Sequence, residues 1–288
     1  MNISSEINNN LPKPKHLFWA GIAIILGFLL ISVTIAYATA WQDPISKSFK
    51  KLYPSALVGS VPVSIEDSDA FVALASKMDG NVSGADAFDM YLKHIKSDLL
   101  LKRLGLKLPS DAISDELYFY KKSPEYDNFL RTYFRGSEKL FKENVVAPQA
   151  VEARLRIKYN SDFNLNQKSY QKAENVLERL NAGEKFEDVA KQFSADKKSA
   201  QFGGDLGFFE HGQILPELEK AITVAKIGEV HDIIVTRDGY EIVYPIETSM
   251  IDGKKMWHAK HILIETTGFD PWLANLLGDM PVKKIKNY

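Results

Sequence analysis

Gly203-Gly-Asp-Leu-Gly-Phe-Phe209 is the stretch on which the fold turns. Two consecutive glycines permit a turn that side-chain-bearing residues resist, and the apolar residues after it can line a shallow pocket. Upstream lie two amphipathic helices in succession. Ala173, Val176, Leu177 and Leu180 mark the buried face of one, Phe186, Val189, Ala190 and Phe193 that of the other, and Asn181-Ala-Gly183 is the break between them. Downstream, a helix is expected from Pro216, then a strand with Ile233 and Val235. Asp238-Gly239 is a strong hairpin signal into Tyr240-Glu-Ile-Val-Tyr244. Further upstream, Val151-Glu-Ala-Arg-Leu-Arg-Ile-Lys-Tyr159 alternates apolar and charged residues, which predicts a half-buried strand. Together these pieces read as a compact α+β domain over residues 150–247.

The rest of the 288-residue chain adds a membrane signal and a helical region. Between Lys15 and Asp43 runs an uncharged stretch, with Trp19 and Trp41 near its ends, long enough to cross a bilayer core that needs about 20 apolar residues. Ala38-Thr39-Ala40 resembles a signal-peptide cleavage site, but a secretory apolar core is usually about 7 to 15 residues, so an uncleaved transmembrane helix over 17–41 is expected after a short tail, 1–16. Lysines on both sides leave its orientation open. The net charge of -1 gives no field to gather nucleic acid, and none is expected as a partner. The absence of cysteine excludes thiol catalysis, disulfides and thiolate metal sites. His94, His211 and His231 lack metal-ligand spacing and read as surface residues, so neither metal nor cofactor is expected.

Residues 42–149 read as a helical domain. Ala56–Val63 is a strand or an extended arm. Ser64 with Asp67 then makes a capping-box-like start for a helix whose buried face holds Phe71, Leu74, Ala75 and Met78. A second helix is expected from Ala85 to Leu104, with Phe88, Tyr91, Ile95, Leu99 and, at the edge of the face, Leu100 inward, and a short third from Ser114 to Lys121. In a fourth, Tyr126, Phe129, Leu130, Tyr133 and Phe134 form an aromatic stripe that reads as helix core, with a peptide-binding groove as the other reading.

The ordered set from Ala153 to Ile246 resembles the parvulin (PpiC-like) family of peptidyl-prolyl isomerases. Its pieces are Ala182-Gly-Glu-Lys-Phe-Glu-Asp-Val-Ala190, Phe193-Ser194, Ser199-Ala200, the glycine stretch, Gly212-Gln213, Pro216-Glu-Leu-Glu219, Ile227-Gly-Glu-Val230 and Gly239-Tyr240. The wider layout resembles the SurA and PrsA type of exported foldase. Pro271–Leu277 and Val282–Ile285 resemble the tail that returns to the helical domain, which would then be 42–149 with 266–288, leaving 248–265 as a connecting strand. The resemblance implies a fold with an antiparallel sheet of about four strands plus helices, and a chain whose bulk lies outside the cytoplasm. It implies unfolded or proline-containing exported polypeptides as partners.

The resemblance also assigns roles. Leu206, Phe209, Ile214 and Leu218 would form a proline pocket, with Asp196, Thr236 and Asp238 around the amide. The family usually carries two histidines, one in the first strand and one after the Gly-Tyr of the last, and neither stands in its expected place. Glu241 occupies the second position. Arg154 is preferred for the first, and a one-residue slip would put Leu155 there instead. An Arg154–Glu241 ion pair would then replace the histidine pair. Trp257-His-Ala-Lys-His-Ile-Leu-Ile264 looks like the first strand of another such domain with too little chain after it. It reads as a relic or a packing strand, or else His261 reaches the site and restores the missing imidazole. Two functions follow: an active isomerase, or a peptide-binding chaperone with a degenerate isomerase domain.

Overall fold

The computed structural model describes residues 50–288 and scattered positions within 22–33. The tail 1–16 and most of the expected membrane helix 17–41 lie outside the described residues. Among the described residues no helix is long and apolar enough to cross a membrane. The elements begin with strands β1 (Pro54–Val58) and β2 (Val61–Ser64) and helices α1 (Ile65–Met78), α2 (Gly84–Arg103), α3 (Ala112–Lys121), α4 (Tyr126–Phe134) and α5 (Glu138–Phe141). A π-helical turn leads into α6 (Ala147–Asn160), followed by α7 (Gln167–Asn181), α8 (Phe186–Phe193) and α9 (Lys197–Ala200). Then come β3 (Asp205–Phe209), α10 (Pro216–Val224), β4 (Ile234–Val235), β5 (Gly239–Ile251), β6 (Lys254–Glu265), α11 (Phe269–Gly278) and β7 (Val282–Lys284).

Two compact units result. In the described part of the first, residues 50–72 and 282–288, β1 lies between β2 and β7. The stretch Ala56–Val63 is thus a hairpin, turning at Gly59 with φ of 58°. Ser64 caps α1, its hydroxyl accepting from the Asp67 N–H at 3.0 Å.

The second unit, Ala73–Pro281, contains the remaining helices and a four-stranded sheet. The aromatic stripe of α4 packs as helix core around Phe141, which the Phe134 ring meets edge-on at 5.2 Å. The buried face of α2 keeps Phe88 and Leu100 of the expected set and adds Ala87, Leu92 and Leu101, while Tyr91, Ile95 and Leu99 are only half-buried. Near its C-terminal end α2 meets Val151, Leu155 and Tyr159 of α6 and Phe269, Leu273 and Leu277 of α11, so its buried positions follow those neighbours.

The largest correction falls on residues 151–159, which are helical and not a strand. Their burial does alternate, with Val151, Ala153, Leu155 and Tyr159 inside. Val151, Leu155 and Tyr159 recur every fourth residue and face α2 and α11, while Ala153 turns toward α3. A helix buried on two sides mimics the period of a strand. Local preference agrees with the helix, because Pro148 sits in the first turn and Ala, Glu, Arg, Leu and Lys fill the interior.

The sheet has the order β3-β6-β5-β4, all pairings antiparallel. The segment 248–265, expected as a connector, supplies the end of β5 and the central strand β6. One face carries Tyr240, Ile242, Ile262 and Ile264 against Ala173 and Val176 of α7 and Val189 and Ala190 of α8. The other carries Val243, Ala259 and Phe209 under Leu218 and Ile222 of α10. The Asp238-Gly239 hairpin joins β4 to β5 as the sequence predicts.

Candidate active site

On the α10 face of the sheet, period-two geometry places His261 beside Ala259 on β6 and Glu241 beside Val243 on β5. The register pairs Val243 with His261 and Glu241 with Leu263, so Glu241 and His261 are diagonal neighbours. His261 Nδ1 lies 2.9 Å from Glu241 Oε2, and both side chains are buried. Its Nε2 lies 3.0 Å from Asp196 Oδ2 and 2.9 Å from Ser199 Oγ. A carboxylate only accepts, so one proton sits between the imidazole and each carboxylate it faces.

Burial works against the charged imidazole, but the hydrogen bond and charge of Glu241, then those of Asp196, outweigh it and raise the pKa of His261. Burial likewise pushes the Glu241 carboxyl up, with His261 opposing. The pair therefore holds its proton to higher pH than either group would alone. Asp196 goes the other way: burial would raise it, yet hydrogen bonds from Ser199 and His261 and the imidazolium charge hold it below the ordinary value.

The loop before β3 is fastened to β6 along its backbone. Ala195 N–H donates to the Leu263 carbonyl at 2.7 Å, and His261 N–H to the Gly204 carbonyl at 2.9 Å. Gly203 and Gly204 take φ of 73° and 83°, the left-handed turn that their sequence predicts. Next to this line, Leu206, Phe209, Ile214 and Leu218 gather in one apolar cluster. Phe209 and Leu218 are its buried floor, and Leu206 and Ile214 are partly exposed. Trp257 stacks on Phe209.

Of the other expected residues, Arg154 has its contacts elsewhere, and Thr236 and Asp238 belong to the hairpin that leads into β5. Arg154 lies on α6, its Nε donating to the Lys107 carbonyl at 3.3 Å, and it lines a cavity with Glu116, Glu217 and Arg237. The Arg154–Glu241 pair is not formed, because the partner of Glu241 is His261. Thr236 is buried in the hairpin, its N–H donating to the Gly239 carbonyl at 2.9 Å and its hydroxyl accepting from the Asp238 N–H at 3.3 Å. It shapes the turn. Asp238 is exposed at the tip. Ser199 had been visible only as part of the Ser199-Ala200 motif, and its spacing of three from Asp196 is the signal that points to their contact.

The imidazole that meets Glu241 and Asp196 is thus carried by β6. The strand that resembles the first strand of the family follows β5 in the chain, joined to it by the Asp252-Gly253 turn.

Residues 155–247 match the rotamase family described as the PPIC-type PPIASE domain, and the match ends before β6. The foldase protein PrsA of Caldanaerobacter subterraneus subsp. tengcongensis is 29% identical over 142 residues, which cover 49% of this chain and 44% of that protein. PrsA 2 of Bacillus cereus is 28% identical over 169 residues, 54% of this chain and 59% of the relative. The chain thus spans about half the length of these curated relatives. The crystal structure of peptidylprolyl isomerase (PrsA) from Bacillus anthracis aligns at 20% identity over 66% of this chain and 86% of that one, with a TM-score of 0.25. Residues 155–247 thus carry a PPIC-type, parvulin rotamase domain, and over about half of its length the chain is similar to the PrsA foldases.

Proposed function

We propose that the chain is a membrane-anchored, extracytoplasmic peptidyl-prolyl cis-trans isomerase and folding chaperone for exported polypeptides. The observation that carries the catalytic part is the line of the half-buried Asp196 and the buried His261 and Glu241 beside the cluster of Leu206, Phe209, Ile214 and Leu218. The apolar run between Lys15 and Asp43 supports the anchor, and the resemblance to exported foldases supports the outside location.

Rotation about a peptide bond faces a barrier of about 18 to 20 kcal/mol, and each tenfold acceleration needs about 1.4 kcal/mol of preference for the twisted amide. The apolar cluster takes the proline ring. Twisting breaks amide resonance, so the ring nitrogen becomes basic and the carbonyl carbon more electrophilic. Asp196, kept ionised, opposes the flow of electrons from nitrogen toward the carbonyl and so favours the twisted state. His261 holds Asp196 in place, and Glu241 holds His261 in turn.

The contacts of His261 with Asp196 and Glu241 support the catalytic reading over the degenerate one. A protease-coupled assay on a proline peptide, run beside an aggregation-suppression assay, separates the two functions. Isomerisation that falls at least about tenfold in Asp196→Ala and in His261→Gln supports the enzyme. Suppression of aggregation with no isomerisation in the unaltered protein overturns it. Protease accessibility of residues beyond 44 in intact cells tests the location.

A further inference from the structure

Resting on the isomerase reading, we propose that Ser199 is a positioning residue of the active site, whose hydroxyl holds the Asp196 carboxylate and the His261 imidazole in register with each other. Three atoms form a closed triangle. Ser199 Oγ donates to Asp196 Oδ2 at 2.6 Å, His261 Nε2 donates to the same oxygen at 3.0 Å, and Ser199 Oγ lies 2.9 Å from that Nε2. The other carboxylate oxygen accepts from the Lys198 N–H at 3.1 Å. Asp196 thus has three donors, and protonating it would cost at least one of those contacts.

Ser199 is itself fixed. It is 5% exposed, and its carbonyl accepts from the N–H groups of Phe202 and Gly204, each at 2.9 Å. Gly204 in turn accepts from the His261 N–H, so the serine is tied through backbone to the strand that carries the imidazole. Water does not easily take the place of a hydroxyl this enclosed. The charged groups around Asp196 are His261 on β6, Glu241 on β5, and Lys197 and Lys198 on its own turn, and Asp238 at the hairpin tip acts on Glu241. The Lys197 ammonium is directed to the Ser194 carbonyl at 2.7 Å. The acceptor geometry of Asp196 therefore depends on Ser199 and His261 together, and removing the hydroxyl frees the carboxylate to rotate and to bind a proton at higher pH.

The test uses the full chain in detergent micelles. In Ser199→Ala, kcat is expected to fall about tenfold with KM within about twofold, which is the loss of one charge-assisted hydrogen bond. The acid limb of the pH profile of kcat/KM is expected to move upward by about half a pH unit or more, and the carboxyl-carbon NMR titration of Asp196 by a similar amount. Ser199→Thr, which keeps the hydroxyl, restores both, while the isosteric Ser199→Val does not. That pair also serves if the alanine variant fails to fold. An Asp196 titration unchanged between the Thr and Val variants overturns the inference. A shifted titration in a protein that shows no isomerase activity upholds the positioning role and overturns the isomerase reading.

Discussion

Gly204 and His261 interlock through their backbones: the His261 N–H donates to the Gly204 carbonyl at 2.9 Å, and a Cβ added at Gly204 would lie 2.3 Å from the His261 carbonyl oxygen. The close approach of loop and strand therefore requires glycine on two grounds, contact and a φ of 83°. Gly204→Ala is expected to destabilise the protein by about 2 to 4 kcal/mol, from left-handed strain plus the clash. Urea unfolding measures it, and a midpoint equal to that of the unaltered protein would contradict the contact.

The Glu241–His261 pair makes stability depend on pH with a definite sign. Both groups have folded-state pKa values above their ordinary ones. Each therefore contributes stability that is fully present below its unfolded pKa and is lost as pH rises through the folded value. Asp196 is lowered, so its contribution is present above about pH 4 and fades as pH falls through its folded value. Thermal melting of the unaltered protein should accordingly weaken as pH rises above the ordinary histidine value of about 6.5. In His261→Gln that alkaline decline should be smaller, because the imidazole no longer titrates. Equal alkaline slopes for the two proteins would count against the pair.

Because β6 follows β5 through a short turn, its place in the chain is a matter of connectivity, and its place in the sheet is what the site needs. A rearranged chain in which residues 254–266 precede the isomerase segment through a flexible linker should fold and keep activity within about tenfold. A chain lacking those residues should lose both, since the central strand and the imidazole go together. Circular dichroism and the proline-peptide assay read the outcome. Full activity without the strand would overturn its assignment to the site.

Arg237 makes contacts on three sides. Its guanidinium bonds Glu116 on α3 and Glu217 on α10, and its carbonyl accepts from Asn160 on α6 at 3.2 Å. The three charged side chains are between 10% and 19% exposed. Arg237→Ala should cost about 2 to 3 kcal/mol, below the figure for a fully buried pair because some solvent reaches these groups. Arg237→Lys should recover only part of this, since one ammonium does not reproduce the fork. Differential scanning calorimetry of the two variants checks the order.

Most elements were legible where one face alone is buried. The helices at 167–181 and 186–193, the glycine turn and the Asp238-Gly239 hairpin follow from spacing that local chemistry enforces. Residues 151–159 read as a strand because burial on two sides gives α6 a strand's period, and a strand there would carry Arg154 toward the site. His261 was visible as a histidine in a strand-like motif, but partnership between residues so far apart along the chain is set by sheet order, which single-sequence periodicity does not carry. Leu206, Phe209, Ile214 and Leu218 converge because the turn, β3 and α10 are close in sequence. Glu241 came from its register after Gly239-Tyr240, and its partner did not.

The position of β6 also orders events during synthesis. Asp196, the glycine turn and Glu241 leave the ribosome first, and His261 follows 20 residues after Glu241, a delay of about 1 to 4 s at typical elongation rates. In that interval the nascent chain carries both carboxylates but no imidazole to place between them. A chain cut short in the Asp252-Gly253 turn would carry every residue of the family match and still lack the group that joins its two acids.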